Sequence, residues 1–154
     1  MIQVKYHILP DILRKESWST PSLSRKGKRL CVTGGRTYEE VERTHERLER
    51  IHRFEGITEI GVGCAVGLDA IVLDWAIANK ISYQRYVADW DAIGMEAGCL
   101  RNGIMLADFK PDRLLVFPGG TGTTDCARKA RKMKIEREFF EDDTDPFLAA
   151  TRWG

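Results

Sequence analysis

"DRLLVFPGGTGTTDCARKA", residues 112–130, joins the most apolar run of the chain to a basic helix pattern through three glycines and three threonines. Leu114 to Phe117 read as a fully buried strand, and Pro118 to Gly120 punctuate it. Glycine there lets the backbone turn tightly, and the helix that follows presents unpaired N–H groups and a partial positive charge. A strand, a glycine turn and a helix in this order form half of a crossover unit of a parallel sheet.

The same plan recurs upstream. "RLCVTGGRTYEE" (29–40) reads as a buried strand, a glycine turn and a helix start, with Thr37 and Glu40 spaced as a capping box. The helix carries Val41, Leu48 and Ile51 on one side and ends near Gly56. In "ITEIGVGCAVGLDAIVLDWAIANK" (57–80) a strand to Val62 precedes a helix whose stripe is Leu68, Ile71, Val72, Trp75 and Ala76. "SYQRYVADW" (82–90) is a third, more polar strand, and "DAIGMEAGCLRNGIMLADF" (91–109) places Ile93, Ala97, Leu100 and Ile104 on one helical face. A short strand, "IEREFF", follows the basic helix. Strands alternating with helices predict an α/β fold: a three-layer, Rossmann-like sandwich around a mostly parallel sheet of about five strands. The expected organisation is an N-terminal extension (1–28), the Rossmann-like domain (29–140) and a C-terminal tail (141–154). The Ser-, Pro- and Lys-rich run "ESWSTPSLSRKGKR" (16–29) reads as a loosely docked arm.

Bulk properties narrow the function classes. The 154 residues suit one domain, and 24 basic against 23 acidic residues leave a formal charge of +1, with no global pull toward nucleic acid or membrane. No window is long and apolar enough to span a bilayer, and the N-terminus lacks a signal-peptide core, so a cytoplasmic location is expected. The four cysteines, Cys31, Cys64, Cys99 and Cys126, form no CxxC pair and read as free thiols. Asp89 and Asp91 of "ADWD" lack a third ligand, and neither a metal nor a cofactor is called for.

Ligands of open parallel sheets bind at the carboxyl ends of the strands. Three glycine loops fall there: 33–38, 61–69 and 118–125. Gly34, Gly35, Gly63, Gly67, Gly119, Gly120 and Gly122 are candidate positions of close ligand approach, with Thr121 and Thr123 as hydroxyl donors to phosphate. Arg36 and Tyr38 are candidates for gripping and stacking on a base, Asp69 for a sugar hydroxyl, and Asn102 for a base or ribose. Arg101 reads either as a fork for an anion or as a surface arginine paired with Asp89, Asp91 or Glu96. The loops contain neither GxGxxG nor GxxxxGK[ST], which argues against a standard dehydrogenase or P-loop nucleotidase. The basic run Arg128, Lys129, Arg131, Lys132 and Lys134 reads as a solvated helix face, and as an oligonucleotide contact only in a lesser alternative.

"CVTGGRTY", "GCAVGLDAIVLDWA", "ADWDAIGMEAGCLRNGIML" and "PDRLLVFPGGTGTTDCARKA", in this order, resemble the YspA-like (cpYpsA-related) branch of the SLOG superfamily. The resemblance covers about residues 29–139. It implies a small Rossmann-like domain for a nucleotide-derived ligand, and distant similarity to the Lonely Guy phosphoribohydrolases, which cleave the N-glycosidic bond of nucleoside monophosphates. Those enzymes carry PGGxGTxxE; here Pro118 to Thr123 match, Cys126 stands at the glutamate position and Asp125 lies one residue early. Their helix arginine is matched by Arg101, with Asn102 and Met105 nearby. The resemblance thus implies Arg101 and Asp125 as catalytic candidates for an N-glycosidase, beside the simpler reading of a ligand-binding module, and it makes a homodimer an expected assembly.

Overall fold

The computed structural model describes residues 4–9, 12–19, 27–88 and 96–140. Seven strands form one sheet: β1 (Lys5–Leu9), β2 (Ile12–Trp18), β3 (Lys28–Thr33), β4 (Ile57–Val62), β5 (Ser82–Ala88), β6 (Arg113–Val116) and β7 (Glu136–Phe139). Four helices accompany them: α1 (Val41–Phe54), α2 (Leu68–Ala78), α3 (Glu96–Phe109) and α4 (Thr121–Lys132). Strand order is β1-β2-β5-β4-β3-β6-β7, with β5 to β7 across the sheet all parallel. These are the five strands expected from the sequence. The chain builds outward from β3 through β4 to β5, then returns past β3 to lay down β6 and β7. Strand order therefore reverses between β3 and β6, where an open sheet parts its loops into a crevice.

The N-terminal segment differs from the docked arm expected of it. β1 and β2 form an antiparallel hairpin, and β2 pairs antiparallel with β5, extending the sheet by two strands. Trp18 is buried and stacks on Tyr83, with ring centroids 6.3 Å apart, and Lys15 Nζ reaches the Asp108 carboxylate of α3 at 2.8 Å. β5 is paired on both edges, antiparallel with β2 and parallel with β4, and none of its residues is exposed.

Alternation along the strands divides the core between the two faces. Leu30, Val32 and Leu115 join Leu48, Ile51, Leu68, Val72 and Trp75 beneath α1 and α2. Cys31, Leu114 and Val116 join Met105, Leu106, Phe109, Cys126 and Ala130 beneath α3 and α4. Three layers result, as the sequence pattern predicts. Two local expectations change. Helix α1 begins at Val41 with Glu40 as its N-cap and no side-chain capping bond, so Thr37 and Glu40 form no capping box; Thr44 is buried instead and Val41 is exposed. Helix α3 is turned by about one residue from the expected face. Ala97 is buried as expected, but Leu100 is 40% exposed, and Arg101, Asn102, Met105, Leu106 and Phe109 face inward. Ile93 lies outside the described residues.

Candidate functional site

At the carboxyl edge of the sheet a cleft of about 1180 Å³ opens between the three glycine loops and the start of α3. Backbone contacts fasten the loops to one another. Gly35 N–H donates to the Pro118 carbonyl at 2.8 Å, Phe117 N–H to Thr33 at 2.9 Å, and Leu68 N–H to Gly35 at 3.2 Å. Gly67 stands at φ +80°, and a Cβ there would collide with the carbonyl oxygens of Gly35 and Arg36. Gly67 is thus the seam between two loops; it does not itself line the cleft. Every other candidate of the ligand-binding set does line it: Gly34, Gly35, Arg36 and Tyr38 from the first loop, Gly63 and Asp69 from the second, Asn102 from α3, and Gly119 to Thr123 from the third.

The third loop meets the requirements of an anion cradle. Gly120 caps α4 without a side-chain hydrogen bond, and no acidic residue lies in the first turn. A Cβ at Gly120 or Gly122 would meet nothing within 4 Å, so that backbone faces open space. The N-terminal N–H groups of α4 are therefore offered to the cleft. Gly119 is the tight position: a Cβ there would strike the Thr123 hydroxyl and stand 2.7 Å from Gly35 N.

Facing this loop is the turned face of α3. Arg101 is only 7% exposed; its Nε donates to Asn102 Oδ1 at 3.1 Å, and its Nη1 to the Tyr86 carbonyl at 3.4 Å and Cys64 Sγ at 3.5 Å. Asn102 Nδ2 in turn donates to the Gly122 carbonyl at 3.1 Å, tying the arginine's helix to the third loop. Glu96 makes no ion pair with Arg101, and Asp89 and Asp91 lie outside the described residues. Arg101 is thus a buried cation at the cleft floor rather than a surface arginine.

Asp69 is 6% exposed and accepts the Ala65 N–H at 3.1 Å through Oδ2. Burial raises its carboxyl to about 6, opposed by the charge of Arg101 and, more weakly, by the Ala65 bond, Arg85 and Arg36. Gly63 allows acid and base to share the floor: a Cβ there would lie 2.6 Å from the Arg101 Cζ and 2.8 Å from Asp69 Oδ2. An aspartate in the first turn of a helix was legible as a cap, and its burial against an arginine thirty-two residues away was not.

One sequence candidate stands elsewhere. Asp125 is buried and does not line the cleft; its carboxylate is held by Arg128 at 3.0 Å and Lys129 at 2.9 Å, on its own helix. Cys126, at the glutamate position, is fully buried in the core, where burial pushes its thiol up to about 12. Tyr38 lines the cleft with its ring packed edge-on against Phe117 at 5.8 Å; its hydroxyl has no hydrogen-bond partner among the described residues. Sequence reasoning missed the acidic lip of Glu39, Glu40 and Glu96 and the Sγ contact of Cys64 to Arg101. Glutamates beside a helix start read as ordinary helix formers, so no pattern singled them out.

Comparison with known proteins fits this architecture. Residues 28–92 match the model of a family described as YspA, cpYpsA-related SLOG family. Over this stretch, somewhat under half of the chain, the protein is similar to the YspA-like branch of the SLOG superfamily. The match takes in the first two glycine loops, with Asp69. Among solved structures, DNA processing protein A from Helicobacter pylori superposes with a TM-score of 0.60 at 14% identity, over 97% of this chain and 88% of that one. A UDP-N-acetylglucosamine 2-epimerase superposes with a TM-score of 0.52 at 19% identity, over 80% of this chain and 37% of that one. At such identities these likenesses establish the Rossmann-like fold alone. No curated protein matches the chain significantly.

Proposed function

We propose that the cleft binds a nucleotide or nucleotide-derived ligand through its phosphate, making the protein a ligand-binding or sensing module. One observation carries this reading: the uncapped start of α4, with Gly120 and Gly122 open, faces the same cleft as the buried guanidinium of Arg101. The similarity of residues 28–92 to the SLOG family supports a nucleotide-related ligand. Gly119 to Thr123 would hold the phosphate by backbone N–H and hydroxyl groups, Arg101 would neutralise it, and Asn102 and Asp69 are placed to meet the rest of the ligand.

The N-glycosidase alternative needs a carboxylate at the ribose. Asp125 is occupied by Arg128 and Lys129, and Cys126 offers only a core thiol, so these positions favour binding over hydrolysis. Single-stranded DNA, which the Helicobacter relative binds, is a further alternative. Four carboxylates (Glu39, Glu40, Asp69, Glu96) against two guanidinium groups (Arg36, Arg101) line the cleft, a balance that favours a small ligand over a polyanion. Lys129 is also spent on Asp125 and the Cys99 carbonyl, at 2.9 and 2.6 Å.

A panel of nucleoside mono- and diphosphates, ADP-ribose and a single-stranded oligonucleotide tests these readings together by thermal shift and chromatography. At least one nucleotide is expected to raise the melting temperature, with no free base released by micromolar protein over hours. Base and ribose 5-phosphate in the mixture would move the assignment to the hydrolase. A shift from the oligonucleotide alone would move it to nucleic-acid binding.

A further inference from the structure

We propose that Asp69 sets the anion specificity of the cleft: its Oδ1 shares one proton with the bound oxyanion, so the site takes phosphate and refuses sulfate. The inference rests on the reading of the cleft as a phosphate site and names the group that selects the anion.

An anion site built only from N–H groups and an arginine accepts any tetrahedral dianion. This site contains, in addition, a carboxylate. Asp69 is 94% buried by the complement of its 6% exposure, it lines the cleft, and among the described residues its only hydrogen-bond donor is the Ala65 N–H, on Oδ2. Oδ1 is left for a ligand. On the other side of Gly63 the Arg101 guanidinium uses Nε and Nη1 within the protein, while Nη2 has no acceptor among the described residues. An oxyanion drawn to Nη2 and to the start of α4 comes up against this carboxylate. Two bare anions repel in a site shielded from water. One proton between them turns the repulsion into a hydrogen bond.

Phosphate brings that proton, since its second ionisation lies near neutrality; a phosphate ester takes it up readily at about pH 6. Sulfate is fully ionised and holds no proton to share. Burial of Asp69 favours the same outcome, because its carboxyl already sits at about 6. The groups facing Asp69 are Arg101 from α3, Arg85 from β5, Arg36 from the first loop, and the thiols of Cys126 on α4 and Cys31 on β3. Burial raises both thiols, Cys126 to about 12, well clear of the range in which Asp69 changes charge.

The test uses inorganic phosphate and inorganic sulfate as probes at millimolar concentration, with melting temperature and titration calorimetry as readouts, on wild type and Asp69→Asn. At pH 7.5 wild type is expected to bind phosphate about tenfold or more tighter than sulfate, and lowering the pH to about 5 is expected to narrow that gap by protonating the carboxylate. Asp69→Asn, which keeps an oxygen for the Ala65 N–H, is expected to bind both anions alike at both pH values. Equal binding of the two anions by wild type at pH 7.5 overturns the proposal, as does an unchanged preference in Asp69→Asn or the failure of phosphate to bind wild type. Because the probes carry no nucleoside, a failure of the nucleotide panel with phosphate discrimination intact removes the nucleotide reading and leaves this one standing.

Discussion

Gly63→Ala is expected to leave a folded protein that has lost its response to ligand. The new Cβ would stand 2.6 Å from Arg101 Cζ and 2.8 Å from Asp69 Oδ2, closer than van der Waals contact allows. Both obstacles are side-chain ends rather than backbone, and Gly63 is not at a positive φ, so the chain can relieve the overlap by expelling the guanidinium. The cost to stability is about 1–2 kcal/mol, in the range of core overpacking. The cost to binding is larger, because the one buried cation of the described cleft floor moves: at least about tenfold in affinity. Gly103→Ala is the matched control, since its Cβ would meet Lys129 at an ordinary 3.8 Å. That variant should melt no lower than wild type and keep the ligand-induced shift.

Arg101→Met separates binding from a pH-dependent effect on stability. Methionine fills much of the volume, but the hydrogen bonds to Asn102, Tyr86 and Cys64 are lost and Asp69 keeps its burial without its main compensating charge. Its carboxyl, already raised to about 6 in the folded protein, should rise further. A raised carboxyl contributes stability that is full below its unfolded value and is lost as pH rises through the folded one. The variant should therefore be close to wild type near pH 5 and fall short by about 3 kcal/mol at pH 8, where an unpaired buried charge must be held. Urea melts at the two pH values check this. An equal deficit at both would assign the loss to packing alone. The ligand-induced shift should be absent at either pH.

What the sequence made legible follows from periodicity and from glycine. Leu68, Ile71, Val72, Trp75 and Ala76 lie at helical spacing in an apolar run, and all are buried as expected. The glycine loops end strands that are apolar on both faces, which is how parallel strands announce themselves, and from these the cleft edge could be placed. The N-terminal hairpin was not legible because KYHIL is only five residues long, ILRKESW carries Arg14, Lys15 and Glu16 in succession and so puts charge on both faces, and the pairing with β5 is a long-range choice. Helix α3 misled for a different reason. Its pattern invites Leu100 to the core, but Leu100 is exposed, and the helix instead turns Arg101 and Asn102 inward to line the cleft. A polar site thus overrode the apolar stripe, as functional sites do when they break local rules. Asp125 lies one residue before the glutamate position, a step of about 100° around α4, and Arg128 and Lys129 hold its carboxylate.

The central claim, that Gly119 to Thr123 and the start of α4 cradle a phosphate, is tested most directly by Gly120→Asp. At φ −104° the position accepts any side chain, and nothing lies within 4 Å of its Cβ, so folding is not obstructed. An aspartate at the N-cap also caps the helix and complements its dipole, which is expected to hold or raise stability by a few tenths of a kcal/mol. Its carboxylate, however, occupies and repels the place of the anion. Melting curves of wild type and Gly120→Asp with and without the nucleotide that stabilises wild type decide the matter: the account predicts an unliganded variant at least as stable as wild type that shows no ligand-induced shift, and a full shift in that variant would contradict it.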